Sequence, residues 1–432
     1  MNRGGQIHSN FPPRFTLLIL IACTCRAQSL PAWLTIHAEQ RTRYETEDVR
    51  YRLGETGGDQ QIALRTRFRG SITHKQFFTT LELQDARVGL TDSGSTITTQ
   101  QENFTHPLQA YIGFRSDSFF SSRYHASIEV GRFSRAVGSG RLVGAEAFRN
   151  TSSVYDGLNL TFSGKSWAAQ AFYFHPVLYT YPNVQVNPLF RDARVGGLNY
   201  SFNWNKSTSL EAFFVHNHDG SSAPIATRRN YNTEGGRVTT QTRRWSYQTE
   251  AAYQHGQFGS RLHRAWFAHI EAGYATELAG RPRIALQYDY ASGDGDPTAG
   301  THNAFDPLFG VRRTDLGPTG IWSLQLRSNL NSPSMRVQVN PLKNAQFTVH
   351  HHWMYLAQAR DQWRGVGLVD PTGKSGHTIG QQTEFQLRYR WSKYFDCESA
   401  YVFFREGSFV RAFHPNSRGW AGYFYISTDV HF

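Results

Sequence analysis

The chain has 432 residues, of which 39% are hydrophobic, 14% aromatic and only 18% charged, and its formal net charge is +12. The charged fraction lies below the roughly 25% of a typical soluble domain, and no apolar run after the amino terminus approaches the ~20 residues of a membrane helix. This composition excludes a helical membrane protein, and the 38 glycines indicate many turns between strands.

The amino terminus is typical of an export signal. Arg3 and Arg14 form a basic region, the apolar core at 15–23 is too short to span a membrane, and residues 25–27 (CRA) offer a cleavage site. We therefore interpret 1–27 as a signal peptide. Its removal lowers the formal charge from +12 to +9, because it holds three arginines and no acidic residue.

A lipoprotein signal is the alternative interpretation. Residues 20–23 (LIAC) resemble a lipobox, in which case Cys23 would carry a lipid. Cleavage after Ala27 would instead leave Cys397 as the only cysteine of the mature chain. In that chain neither an internal disulfide framework nor a cysteine zinc site is expected.

Period-two alternation of apolar and polar residues runs through nearly the whole mature chain. In 61–72 (QIALRTRFRGSI), Phe68 and Ile72 share one parity while Arg65 and Arg67 share the other, which is the signature of a strand. A soluble β-sandwich would also alternate. However, aromatic residues at strand ends suit interfacial girdles, and charges at mid-strand suit a wet lumen. The sequence therefore predicts an all-β fold, a transmembrane antiparallel β-barrel.

Eighteen strands are predicted, an even number as in bacterial single-chain barrels. They cover residues 32–44, 60–72, 76–87, 107–115, 123–133, 153–163, 166–175, 194–204, 208–217, 230–241, 246–256, 265–276, 282–291, 334–341, 345–356, 378–391, 395–405 and 420–432. With both termini in the periplasm, the long connections, such as 88–106, 134–152 and 292–333, become extracellular loops and the short ones become periplasmic turns. The segment 319–330 also alternates, but a nineteenth strand would invert every later loop. We therefore expect it to be a helix or an ordered piece within the long loop, and residues 28–432 to form a single barrel.

The carboxyl terminus carries the sharpest local signal. Residues 423–432 (YFYISTDVHF) alternate to the end and finish on Phe432. Such a strand resembles the assembly signal of bacterial outer-membrane barrels. The sequence thus predicts the outer membrane as location, with its lipid, its lipopolysaccharide and the barrel assembly machinery as partners.

Arginines on the lumen parity are the candidate functional residues. A guanidinium is permanently charged and pairs with carboxylates in a planar fork, so several in a narrow wet pore would favour anions. By parity the candidates are Arg41, Arg43, Arg65, Arg67, Arg69, Arg237, Arg336, Arg388 and Arg390. Inward carboxylates could instead neutralise them in ladders; these are Glu39, Glu82, Glu129, Glu250, Glu271 and Glu384. We expect a mixed role, with some arginines paired and others lining an anion path.

Several segments carry a resemblance to one family. They include RTRYE (41–45), LRTRFR (64–69), EVGRFSRAVGSGRLVGAEAFRNTSSVYDGL (129–158), YDYASGDGD (288–296) and FDPLF (305–309). With these segments in this order, nearly the whole mature chain resembles the bacterial alginate export proteins. The resemblance implies an eighteen-stranded outer-membrane barrel whose arginine-rich constriction passes an anionic polyuronate outward.

The resemblance also implies which residues form that constriction. By motif they would be Arg43, Arg67, Arg132, Arg141, Arg388 and Arg390, with Glu129 and Asp156 as acidic partners, to which parity adds Glu384. Arg132 falls on the apolar parity of Ile128 and Val130. A β-bulge near Gly131 would have to turn it inward for it to be a pore residue.

Other kinds of chemistry find little support. His350 and His352 share one face and could bind a metal, but without a nearby carboxylate we expect two lumen-facing histidines and no metal site. SGDGDP (292–297) has oxygens that could bind Ca²⁺ weakly, yet it lacks the later glutamate of an EF-hand, and an extracellular turn is expected. No G-x-S-x-G motif occurs. We expect no enzyme, no cofactor and no nucleic-acid partner, and we expect a monomer.

Three functions therefore stay open. The first is passive export of an acidic polysaccharide through an anion-selective channel. The second is uptake of small anionic solutes, and the third is a plugged structural or adhesin barrel. Pore width would separate them, and it depends on how the loops at 88–106 and 134–152 fold inward.

Overall fold

The computed structural model describes residues 30–120, 123–180, 185–186, 192–220 and 223–432. The proposed signal peptide 1–27 and the alternative lipidation site Cys23 lie outside these residues.

Eighteen antiparallel strands close into a barrel, because β1 pairs with β2 on one side and with the last strand on the other. The strands are β1 (Leu34–Glu47), β2 (Asp59–His74), β3 (Phe77–Gly89), β4 (Asn103–Ser116), β5 (His125–Phe133), β6 (Tyr155–Ser163), β7 (Trp167–Pro176), β8 (Arg194–Asn203), β9 (Thr208–His218), β10 (Arg229–Gln241), β11 (Trp245–Phe258), β12 (Arg261–Ala275), β13 (Arg283–Ala291), β14 (Leu330–Leu342), β15 (Ala345–Tyr355), β16 (Thr378–Ser392), β17 (Phe395–Glu406) and β18 (Trp420–His431). The predicted fold class, strand number and order are confirmed.

The wall follows the alternation read from the sequence. In β2, Phe68 and Ile72 are exposed on the outer surface, while Arg65 points inward and is buried. Successive side chains of a strand point to opposite faces, so one parity contacts lipid and the other lines the lumen. In β18 the same rule sends Ile426 outward and buries Tyr425 inside.

Connections at the two ends of the barrel differ in length as predicted. The β2–β3 turn holds two residues, and Lys75 adopts φ 55° there, a left-handed conformation that tight hairpins require. At the extracellular end the connections are long, except the one at 259–260 between β11 and β12. Helices α1 (Arg313–Leu316) and α2 (Ser408–Phe413) lie in two of these loops.

The minor elements add little to the wall. A 3₁₀ turn covers Ile225–Thr227, Tyr179–Thr180 pairs with Gln185–Val186, and Thr301–His302 runs parallel to the beginning of β12. No helix among the residues described has the length and apolar composition that crossing a membrane requires.

Two extracellular loops, 134–154 and 292–329, fold back into the lumen. In the second loop Phe305 is fully buried, and Trp322 is buried against Tyr423 with ring centroids 5.6 Å apart. The alternating segment expected to be ordered is indeed part of this loop; it is neither strand nor helix, and β14 begins only at Leu330.

Apolar side chains fill the extracellular half of the barrel. Inward residues near the extracellular strand ends form three buried clusters with the loops; examples from the wall are Phe133, Phe174, Phe267 and Phe404. In this half the lumen is therefore apolar and filled rather than wet. Apolar burial there stabilises the inserted loops as it would in a soluble core.

Candidate pore site

Arg41 and Arg65 hold the first lumen loop against the wall. They lie directly opposite each other in the β1–β2 register, an arrangement of like charges that is unfavourable by itself. Both guanidinium groups donate to the same loop carbonyls: Arg41 to Ala147 at 2.9 Å and Arg149 at 2.8 Å, and Arg65 to the same oxygens at 3.0 and 3.2 Å. The carbonyl dipoles stabilise both charges and fix loop 134–154.

Arg43 holds the same loop; together we call Arg41, Arg43 and Arg65 the arginine clamp. Its Nε donates to Glu45 Oε1 at 2.6 Å, it also donates to the Phe148 carbonyl, and its guanidinium carbon lies 4.2 Å from the centre of the Phe148 ring. Its side chain is buried. Arg43 is therefore neutralised and structural rather than free to meet a solute.

Below the clamp, toward the periplasm, a cavity of about 380 Å³ opens into the lumen. We call it the basic vestibule; its polar lining comprises His37, Glu39, Arg67, Arg69, Glu82, Gln109, Ser134, Ser152, Lys393 and His431. Its cations are incompletely neutralised. Arg67 donates to Gln84 at 2.9 Å and to Ser152 at 2.6 Å, while the nearest carboxylate oxygen, on Glu39, is 3.9 Å away.

Arg69 is the freest cation of the vestibule. In the part of the chain that the structure describes, its guanidinium makes neither a hydrogen bond nor an ion pair. Of the two vestibule carboxylates, Glu39 binds Arg65 at 3.0 Å. Glu82 accepts from the neutral amide of Gln109 and lies opposite Arg69 in the β2–β3 register, so it keeps its negative charge. The charged side chains of the lining are Arg67, Arg69 and Lys393 against Glu39 and Glu82, so an anion entering from the periplasm meets a net positive wall.

Helix α1 lies in the lumen and is tied to several strands. Asp315 accepts from Arg141 Nε at 2.8 Å and also pairs with Arg327. Arg313 pairs with Glu384 on β16 at 2.6 Å, and Arg336 on β14 donates to the Thr314 carbonyl at 2.6 Å. The helix and its ion pairs form a crossbar that connects β14 and β16 with Arg141 of loop 134–154.

Electrostatics strengthen the crossbar at Asp315. Burial alone would raise the pKa of this carboxyl, but Arg141 and Arg327 outweigh it and hold the pKa well below its ordinary range. The carboxylate is therefore ionised at every pH the cell surface meets, and both arginines stay bound to it.

Arg141, predicted as a constriction residue, lies at this crossbar. Besides Asp315 it binds Glu250 on β11 at 2.7 Å and contacts His269 Nε2 at 3.0 Å. Two carboxylates neutralise it. Arg237 and Arg336 are likewise paired, with Glu211 at 2.6 Å and Glu271 at 3.4 Å.

Arg388 and Arg390 face the periplasmic mouth. They pair with Glu398 at 2.6 Å and Asp396 at 3.0 Å, and their side chains are 53% and 71% exposed. Both pairs are of the kind expected as the alternative, in which carboxylates neutralise the arginines. In the register Asp429 lies between Asp396 and Arg41. The structure thus separates these two arginines from the vestibule.

Arg132 is placed on the outer surface. The β4–β5 and β5–β6 registers run without a shift through Gly131, so no bulge turns Arg132 inward and the motif-based prediction of Arg132 as a pore residue is wrong. Gly131 has φ +132°, and a Cβ there would lie 2.4 Å from the Ala110 carbonyl; glycine thus permits close pairing instead. Arg132 keeps the outward parity and binds Asp156 at 2.7 Å, which removes both residues from the pore.

The other predicted acidic partners face inward. Glu129 pairs with Arg135 at 2.5 Å and accepts from Asn159 at 2.9 Å. Glu384 holds Arg313, as described for the crossbar. Both serve the inserted loops.

The carboxyl-terminal Phe432 lies at the periplasmic end of the barrel, where it borders the basic vestibule. It is 52% exposed, its ring stacks on Tyr394 at 6.0 Å, and its backbone N–H donates to the Ala38 carbonyl at 3.0 Å. The last strand is therefore hydrogen-bonded to β1 up to its final residue.

The histidine and calcium candidates also have clear positions. His350 and His352 point inward as predicted, 3.3 Å apart between ring nitrogens. In the acidic turn, Asp294 binds Arg261 at 2.7 Å and Asp296 accepts from Thr298 at 2.6 Å. No cluster of three or more histidine, cysteine or carboxylate side chains suited to a metal ion occurs within the described ranges.

Sequence reasoning missed the loop residues that organise the lumen. Asp315, Arg327 and Arg312 come from a loop outside the predicted strands, and Asp315 is 174 positions from its partner Arg141. Burial, with Arg149 nearby, lowers the pKa of Arg312 to about 9. One signal was available: in AFYFHP (171–176) both parities are aromatic, which is typical of a wall buried on both faces.

Comparison with known proteins agrees with this architecture. A family model described as alginate export matches residues 32–424, whereas no curated protein matches. The barrel is similar to Pseudomonas aeruginosa OccD3 (OpdP), with 12% identity and a TM-score of 0.58 over 94% of this chain and 93% of that one. It is similar to opdK of the same organism, with 10% identity and a TM-score of 0.60 over 92% of this chain and 99% of that one. It is also similar to Acinetobacter baumannii OccAB2, with 12% identity and a TM-score of 0.60 over 92% of this chain and 98% of that one. At these identities the likeness shows the fold alone. With the family match over nearly its whole length, the chain belongs to the alginate export family and is a channel-type β-barrel of the bacterial outer membrane.

Proposed function

We propose that this barrel is an anion-selective channel that exports an acidic polysaccharide, an alginate-like polyuronate, by passive diffusion. The observation that carries the proposal is the basic vestibule, where Arg69 has no partner among the described residues and Arg67 is only loosely paired. Guanidinium groups bind carboxylates in a bidentate manner. In a narrow lumen they raise the local concentration of anions and disfavour cations.

The inserted loops set the condition for polymer passage. Loop 134–154 is held by hydrogen bonds from Arg41 and Arg65, and loop 292–329 is held by the crossbar at Asp315. A chain of uronates needs at least one of these loops to move. In this proposal the crossbar keeps the barrel closed at rest, and the vestibule receives the polymer from the periplasm.

Ion selectivity in planar bilayers tests the proposal. We expect the wild-type protein to favour anions in asymmetric salt, and the preference to weaken from 0.1 M to 1 M salt because the Debye length falls from ~10 Å to ~3 Å. Arg69→Glu should move the reversal potential toward cation selectivity and abolish block by added oligouronate.

Arg243→Glu is the matched control. This residue lies in a periplasmic turn with 83% of its side chain exposed, and its charge changes by the same amount outside the vestibule. A cation-selective wild type, or equal shifts in the two variants, would remove the basis of the proposal.

Uptake of small anions is the second candidate, and the loops inside the lumen favour it. If the loops never move, only small solutes fit between them. Liposomes that contain the barrel distinguish the two: release of uronate monomers without release of longer oligomers would favour uptake. No conductance under any condition would favour a plugged structural barrel.

A further inference from the structure

The outer surface of β7–β12 carries a polar band close to the extracellular strand ends. Its members are His175, Arg194, His216, His218, Asn230, Asn232, His255 and Arg264. They point outward, because alternate residues of the same strands, such as Phe174 and Val215, are buried inside. Polar groups on the lipid parity are unusual in a barrel wall and call for a polar partner.

Strand register gathers these side chains into two rows. The lower row crosses four neighbouring strands, β9 to β12, and its members in order are His216, Asn232, His255 and Arg264. In the upper row Arg194 lies opposite His218. Neighbouring strands are about 4.8 Å apart, so the rows form a continuous patch. The rings of His216 and His218 connect the rows, stacked with centroids 6.4 Å apart.

The position of the band fixes its level in the membrane. One step toward the periplasm, Tyr253 and Trp266 lie opposite each other and are exposed. Trp266 stacks on Tyr290 with centroids 4.3 Å apart. Exposed tyrosine and tryptophan mark the membrane interface. The band therefore lies at the level of the outer-leaflet headgroups.

Its charge is positive. In the described part of the chain, Arg194 and Arg264 make no hydrogen bond or ion pair through their side chains. The carboxylates at the same level are engaged: Glu234 contacts His255 at 3.1 Å, and Asp156 binds both Nε and Nη2 of Arg132. The two arginines are left for an external anion.

An outward depression adjoins the band at its β5–β7 side. It has a volume of about 630 Å³, and Arg132, Asp156, Tyr173 and His175 contribute to its lining. Arginine forks and imidazole N–H groups are good donors to phosphate. We infer that this surface binds the phosphorylated headgroup of the outer-leaflet glycolipid, the lipid A of lipopolysaccharide, with Arg194 and Arg264 as the main phosphate contacts.

Binding of lipid A to the purified full-length barrel in detergent tests the inference. Bisphosphorylated lipid A is titrated and the complex is counted by native mass spectrometry, with dephosphorylated lipid A as the second probe. Arg194→Gln with Arg264→Gln should weaken binding of the phosphorylated form by at least about tenfold, because hydrogen bonds to charged groups are each worth ~1.5–3 kcal/mol and 1.4 kcal/mol is tenfold.

Controls separate this site from general attraction to a cationic barrel. Arg405→Gln changes an outward, exposed arginine at the extracellular end of β17, and it should leave binding unchanged. Arg194→Lys with Arg264→Lys should retain part of the affinity and shows whether the band tolerates substitution. Equal loss in the Arg405 variant, unchanged binding in the glutamine variant, equal binding of dephosphorylated lipid A, or equal binding of phosphatidylglycerol would each overturn the inference.

Discussion

Replacing Asp315 by asparagine tests whether the crossbar holds the lumen loops in place. The change keeps the size of the side chain and removes one buried negative charge. Asparagine keeps an acceptor oxygen but no charge, so Arg327 loses its ion pair and retains neutral contacts such as the Val311 carbonyl, whereas Arg141 keeps Glu250. Removing one member of a buried ion pair costs ~3–5 kcal/mol. Because Arg141 stays paired, we expect the lower end, ~3 kcal/mol.

We expect this cost to destabilise loop 292–329 in its position inside the lumen. The pairing of the barrel strands should be unaffected. A cost of ~3 kcal/mol corresponds to a shift of roughly 150-fold in the equilibrium between seated and released loop. Single-channel recording in planar bilayers measures it directly, as longer open times or larger conductance steps than in the wild type. Asp296→Asn is the control, since Asp296 lies in the same loop, is exposed and binds only its local turn.

The pH dependence follows from the direction of the pKa shift. Asp315 has its pKa lowered in the folded state from the ordinary 3.8, so its stabilisation is present above the unfolded pKa and is lost only as the pH falls through the lower, folded value. Wild-type gating by this residue should therefore not change between pH 7 and about pH 4. Identical gating in the wild type and the Asp315 variant, or loosening of the wild type already at pH 5, would refute the role of the crossbar.

Two further predictions concern topology and assembly. A tag inserted at Thr298 should be labelled on intact cells and one at Lys206 should not, because the two lie at opposite ends of the wall; equal labelling would contradict the orientation. Deleting Phe432 should lower the amount of heat-modifiable, protease-resistant barrel in the outer membrane, because its backbone pairing with Ala38 and its stacking on Tyr394 are lost; unchanged amounts would show that this residue is dispensable.

The wall could be predicted from the sequence because strand parity is a local property. Phe68 and Arg65 point to opposite faces because they are an odd number of positions apart, which four consecutive residues are enough to show. For Arg132, strand parity predicted an outward side chain, whereas the family motif predicted a pore residue. The strand register agrees with the parity.

The site was less predictable because its contacts are long-range. No spacing in the sequence joins Asp315 to Arg141, or Arg65 to the carbonyl of Ala147. Parity identified the inward arginines but not their partners, and backbone carbonyls as partners leave no trace in the sequence. Phe174 and Phe404 show that inward parity does not imply a wet lumen, since loops can supply an apolar surface to pack against.

Glu45 gives the barrel an order of assembly. This one carboxylate accepts hydrogen bonds from Arg43 beside it, from Tyr423 on the last strand and from the Ile321 amide of the inserted loop. Tyr423 can reach it only after β18 has paired with β1, the contact with the longest sequence separation and the slowest to form. The loop that meets the same oxygen therefore seats on a surface that exists only once the cylinder is shut. A barrel caught after closure but before the loop seats would be a complete wall around a less obstructed lumen, so leakiness should be a passing stage of biogenesis, ended by seating of the loop.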